Sequence, residues 1–161
     1  MRGITFRGLL VLAVALFMIM LSASTASAAD EGGDDISMGI FPGTELKKVE
    51  PFRVNNDGEL AAYASSGSGT AGDPYLIENL KINATGYGAA IYIGNTTMYF
   101  KVQNCSLFND DGSGFPMSIN AGLSLYNLRN AMVLNNNITN NSYSGVHAYG
   151  AHGTVLSGNL L

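Results

Sequence analysis

From residue 77 onward one six-residue phrase recurs four times: apolar, any, Asn (once Ser), two more, apolar. It reads Ile77-Glu-Asn79-Leu-Lys-Ile82, Val102-Gln-Asn104-Cys-Ser-Leu107, Val133-Leu-Asn135-Asn-Asn-Ile138 and Val155-Leu-Ser157-Gly-Asn-Leu160. The starts lie 25, 31 and 22 residues apart, a spacing that belongs to coiled, solenoid-like architectures. A chain with this pattern cannot bury one phrase alone. It must lay each phrase over the last.

A shorter phrase precedes three of them: Ala90-Ile-Tyr-Ile93, Gly122-Leu-Ser-Leu125 and Gly145-Val-His-Ala148. Each repeat therefore carries short strands of the Ile91, Val102 and Leu107 types, with alternate side chains pointing inward. Helix is excluded because Gly, Asn and β-branched residues crowd every window. Stacking at about 4.8 Å builds parallel sheets around one continuous core. The expected columns are Ile77, Val102, Val133 and Val155, then Ile82, Leu107, Ile138 and Leu160. A turn ladder of Asn79, Asn104, Asn135 and Ser157 follows, where Asn serves either a left-handed backbone or hydrogen-bonded stacked amides. The next column mixes types: Leu80, Cys105, Asn136 and Gly158.

The N-terminal part divides by composition. Arg2 and Arg7, the apolar run Gly8–Leu21 and Ala26-Ser27-Ala28 make residues 1–28 a secretory signal peptide, too short for a membrane span. Residues 29–45 read as a flexible acidic segment. Residues 46–74 read as an N-terminal cap: a strand near 46–54, then a helix from Glu59 to Ala64 capped by Asp57, with Leu60, Ala61 and Ala64 on its apolar face. Residues 75–161 hold the coils. The chain stops in mid-coil at Asn159-Leu160-Leu161, so further residues or a partner are expected to cover the last coil. Removing the leader leaves six basic residues against twelve acidic ones, which argues against nucleic acid and anionic membranes as partners. Cys105 is the single cysteine, so no intramolecular disulfide can form, and a buried core thiol is expected.

Residues 53–161 resemble the right-handed parallel β-helix family, which includes pectin-lyase-like enzymes and NosD-type repeat proteins. The nearest likeness is to secreted archaeal surface proteins. The residues that carry it are Gly67-Ser-Gly-Thr70 with Asp73-Pro-Tyr-Leu-Ile77, then Ile91-Tyr-Ile-Gly-Asn95, Val102-Gln-Asn-Cys105 and Val133-Leu-Asn-Asn-Asn-Ile138. The resemblance implies an all-β, right-handed parallel β-helix of about three coils with a short N-terminal capping helix. It does not carry an activity across.

Family hydrolases combine Asn-x-Asp, Asp-Asp, Gly-His-Gly and Arg-x-Lys. Asp110-Asp111 and Ala151-His152-Gly153 resemble two of these, and the other two are missing, so Asp110, Asp111 and His152 are weak candidates. A polysaccharide lyase or glycoside hydrolase remains the alternative function, and a NosD-like periplasmic metal-site maturation protein the second. His147 and His152 lack a third ligand for zinc or copper. No cofactor is expected: Asn109–Gly112 offers oxygen ligands to calcium, but one short turn supplies too few, so a solvated Asx-type turn is expected.

Tyr92 lies between Ile91 and Ile93, so it should face outward, with Ser124 and His147 in its column and Tyr126 nearby. Outward Tyr, Ser and Asn suit a carbohydrate platform, where rings stack on sugar faces. The expected role is a non-catalytic, secreted or cell-surface structural or adhesive module in contact with polysaccharide or glycoprotein. Asn83 and Asn95, in turns, are the credible glycosylation acceptors.

Overall fold

The computed structural model describes residue 43 and residues 45–112 and 120–161. The expected signal peptide and nearly all of the acidic segment lie outside the described residues. Twelve strands and one helix are described: β1 (Lys47–Lys48), β2 (Phe52–Val54), α1 (Asp57–Tyr63), β3 (Tyr75–Glu78), β4 (Leu80–Asn83), β5 (Ala89–Gly94) and β6 (Phe100–Gln103). Then follow β7 (Ser106–Phe108), β8 (Ala121–Arg129), β9 (Ala131–Leu134), β10 (Asn137–Thr139), β11 (Val146–His152) and β12 (Val155–Ser157).

The strands are dealt in rotation to three parallel sheets. The first sheet runs β2-β5-β8-β11, the second β3-β6-β9-β12 and the third β1-β4-β7-β10. This order fits a β-helix, because each strand's neighbour in space is one full cycle away in sequence. Ile77 pairs with Val102 and Val102 with Val133 in the second sheet. Ile82, Leu107 and Ile138 align in the third, and Ile91, Leu123 and Val146 in the first. Their inward side chains form one apolar cluster with Val54, Leu60 and Phe100.

The fourth phrase is displaced by one residue from the expected register. Leu156, not Val155, pairs with Val133; Ser157 pairs with Leu134; Leu160 bridges to Asn137 rather than Ile138. The cause lies in the turn ladder. Asn79, Asn104 and Asn135 have φ of 57°, 53° and 54°, and the residue continuing the column is Gly158 at 69°. Glycine reaches that left-handed conformation without penalty, whereas Ser157 would be strained there. A one-residue slip also reverses which side chains face inward.

That slip places Asn159, not Gly158, above Asn136. The buried Asn136 accepts the Cys105 N–H at 2.9 Å and donates to the Val102 carbonyl at 2.9 Å. Asn159 repeats the arrangement one level on, accepting from Asn136 N–H and donating to the Val133 carbonyl. The hydrogen-bonded amides therefore occupy this inner column, and the turn ladder beside it uses Asn for its backbone conformation.

The N-terminal expectations shift in two places. Residues 46–54 form two strands in different sheets, separated at Glu50-Pro51, where proline supplies no N–H to a continuing ladder. Asn56, not Asp57, caps α1, accepting the Glu59 N–H at 2.9 Å. Asp57 is occupied elsewhere: it accepts the Thr96 hydroxyl at 2.6 Å and the Thr97 N–H at 2.9 Å. Only Leu60 of α1 is buried; Ala61 is exposed and Ala64 half-buried. Tyr63 stacks on Phe52 with ring centroids 4.2 Å apart, fixing the helix to the start of the first sheet.

Candidate functional site

The outer face of the first sheet presents the polar and aromatic side chains that its alternation predicts. Arg53, Tyr92, Ser124 and His147 share one outward column by register. Outward does not mean exposed here. Tyr92 is 7% exposed, with the Arg53 guanidinium 4.2 Å above its ring centroid, and Ser124 is fully buried. Burial pushes the Tyr92 phenol above its ordinary pKa, while Arg53 opposes that rise. His147 is half-buried and its Nδ1 has no hydrogen-bond partner. Three of the four expected sugar contacts are thus enclosed wholly or in part.

Tyr126 is the exception, and it has a partner that is not among the four expected contacts. The next outward column reads Gly94, Tyr126, Tyr149. The two tyrosine rings stack, with centroids 5.4 Å apart and planes within 14°. Tyr149 remains 62% exposed, so it keeps ring surface for a ligand. Gly94 stands where a side chain would meet the Tyr92 hydroxyl, which keeps the column below the pair clear.

A second amide ladder runs beside the tyrosines. Asn95 donates to Asn55 at 2.8 Å, and Asn127 donates to Asn95 at 2.8 Å. Asn95 and Asn127 both have left-handed backbones, with φ of 52° and 46°. Gly150 continues the column at 62°, so the side-chain ladder ends at Asn127. The missing side chain helps open a concavity of about 230 Å³, lined among others by Asn127, Gly150, Thr97, Arg129 and His152. Arg129 and His152 are register partners on β8 and β11. The site therefore sets a stacked ring pair beside amide, hydroxyl, guanidinium and imidazole groups. The arrangement offers flat apolar contact on one side and hydrogen-bonding groups on the other.

The residues resembling a hydrolase set are not brought together. Asp110 follows β7, and its carbonyl accepts from Ser142, just before β11 begins. His152 ends β11, so the strand's length, roughly 20 Å, separates the two. Asp110 does form the expected Asx turn, accepting the Gly112 N–H at 2.9 Å; its own side chain is buried, Asn109 and Gly112 are half-buried and Asp111 is exposed. Asp111 accepts the Gly86 N–H at 2.9 Å. Among the described residues no cluster of three or more His, Cys, Asp or Glu could hold a metal ion, and no helix is long and apolar enough to cross a membrane. Cys105 is buried, and burial pushes its thiol up to about 12.

The two glycosylation candidates differ in geometry. Asn83 is exposed, and its Oδ1 accepts from the Thr85 hydroxyl at 2.8 Å within its own sequon. Asn95 has both ends of its amide engaged in the outer ladder.

Residues 59–161 match the family model described as the right handed beta helix region. No curated protein and no solved structure matches the chain.

Proposed function

The chain belongs to the right-handed β-helix family, and from that premise we propose that it is a non-catalytic secreted or cell-surface module that contacts glycans through the outer face of its first sheet. In this reading the three parallel sheets are the faces of one pectin-lyase-like solenoid, and α1 covers its first coil. The observation that carries the proposal is the Tyr126–Tyr149 stack standing beside the concavity where the amide ladder ends. A sugar ring lies against Tyr149 while its hydroxyls meet Asn127, Arg129 and His152. The leader pattern of Arg2, Arg7, Gly8–Leu21 and Ala26-Ser27-Ala28 supports export. The separation of Asp110 from His152 favours binding over hydrolysis.

Purified protein on a glycan array tests this. Retention of a defined set of glycans, with no new reducing or unsaturated ends released, is the expected result. Tyr149→Ala should weaken retention by about two- to tenfold, since ring stacking is worth about 0.5–1.5 kcal/mol. Equal retention by wild type and Tyr149→Ala would remove this face from the account, and released sugar ends would replace binding by catalysis.

A further inference from the structure

The turn after β7 encloses a carboxylate. Asp110 is 1% exposed and is held at three other points. Its carbonyl accepts the Ser142 N–H and hydroxyl at 2.8 and 2.6 Å, its N–H donates to Asn141 at 3.1 Å, and its Oδ1 accepts the Gly112 N–H. Its Oδ2 is equally enclosed and receives no hydrogen bond. On the other side of Gly112 sits Asn120, 2% exposed, donating Nδ2 to the Gly112 carbonyl at 3.0 Å. That bond fixes the amide's orientation and makes Oδ1 a second buried acceptor without a donor.

Two oxygen acceptors, one of them on a carboxylate, are thus enclosed on either side of a single glycine. Leaving them so costs about 1–3 kcal/mol each, and more for the charged one. Among the described residues no basic side chain compensates: burial pushes the Asp110 carboxyl up, the Gly112 N–H opposes this, and the neighbouring charge of Asp111 adds to the rise. Water could satisfy the two oxygens but would not offset the enclosed negative charge; a small, oxygen-seeking cation does both. Soft or nitrogen-seeking metals find no ligands here, because neither His nor Cys contributes.

We propose that Asp110 Oδ2 and Asn120 Oδ1 hold a hard divalent cation of the calcium class, with water completing its shell. The ion ties the end of β7 to the start of β8 and so fixes the two ends of the long connection between them. This site is independent of the glycan face, which lies at the far end of β11.

Terbium, a luminescent stand-in for calcium, provides the probe. The chain has eight Tyr and no Trp, and the Tyr143 ring edge lies against Gly112, placed to sensitise a bound ion. Full-length protein stripped with chelator should bind terbium saturably at one site, and calcium should displace it. Asp110→Asn and Asn120→Ala should each weaken binding at least tenfold. Tyr143→Phe should dim the emission while calorimetry shows calcium affinity unchanged. If Asp110→Asn fails to fold, Asn120→Ala carries the test. No binding of either ion at millimolar concentration overturns the proposal, as does binding that both variants retain. A melting temperature unresponsive to calcium, but falling as pH rises in wild type and not in Asp110→Asn, would assign the two oxygens to a shared proton instead.

Discussion

Among the described residues two columns of asparagine amides are hydrogen-bonded, one inside the core and one outside, and they do different work. The inner pair, Asn136 and Asn159, reaches backbone groups of neighbouring strands: the Cys105 N–H and the Val102 and Val133 carbonyls. The outer run, Asn55, Asn95 and Asn127, bonds side chain to side chain in contact with solvent. An amide that replaces water for a buried peptide group is difficult to remove, because its loss strands that group in an apolar medium. An amide bonded to another amide at the surface exchanges with water at little cost. The inner column therefore belongs to stability, and the outer one is free to serve a ligand.

The largest effects should come from the inner side. Asn136→Leu removes the partners of the Cys105 N–H and the Val102 carbonyl, and should destabilise by about 3 kcal/mol or more in urea denaturation. Leu107→Ala, in the column between Ile82 and Ile138, should cost a similar 2–5 kcal/mol. If Asn136→Leu were neutral, the distinction between the two columns would collapse.

A middle effect separates backbone from amide chemistry. Asn135 has φ of 54°. Asn135→Ala should cost about 1 kcal/mol of left-handed strain, while Asn135→Gly should be nearly neutral. Equal losses in both would mean that the side chain carries the position.

The alkaline response of the inner column is confined to high pH. Burial holds the Cys105 thiol at about 12 against an ordinary 9.0. The unfolded chain loses its thiol proton first, so this contribution to stability is intact below pH 9 and disappears between pH 9 and about 12. Cys105→Ala should flatten that part of a stability–pH curve, and native wild-type protein should resist thiol reagents at pH 8. The smallest effect on stability belongs to the outer column. Asn127→Ala should change unfolding free energy by no more than about 0.5 kcal/mol, while reducing glycan retention measurably.

The stacked columns were legible because a buried face repeats its apolar residues at each level: Ile77, Val102 and Val133 are recognisable without coordinates. The last phrase misled because Ser157 matches the phrase at the level of residue type. The requirement that decides the register is backbone conformation, and Gly158-Asn159 answers Asn135-Asn136 in that respect. The helix cap was misassigned for a different reason. Asn56 and Asp57 are equivalent acceptors locally, and what diverts Asp57 is Thr96 and Thr97, some forty residues away. Alternation correctly set Tyr92 and Ser124 facing outward but could not report what covers them, since Arg53 reaches Tyr92 from another strand. The Tyr126–Tyr149 pair had a signal that was available: once Leu123 and Val146 are aligned, the two tyrosines fall opposite each other.

The central claim is that successive levels lie in parallel register, set by the left-handed column of Asn79, Asn104, Asn135 and Gly158. Met132 and Val155 are exposed register partners on adjacent strands, close enough for a disulfide between substituted cysteines. Under mild oxidation, Met132→Cys with Val155→Cys should cross-link rapidly, and Met132→Cys with Leu156→Cys slowly or not at all. The reverse order of rates, or no cross-link in either pair, would contradict the account.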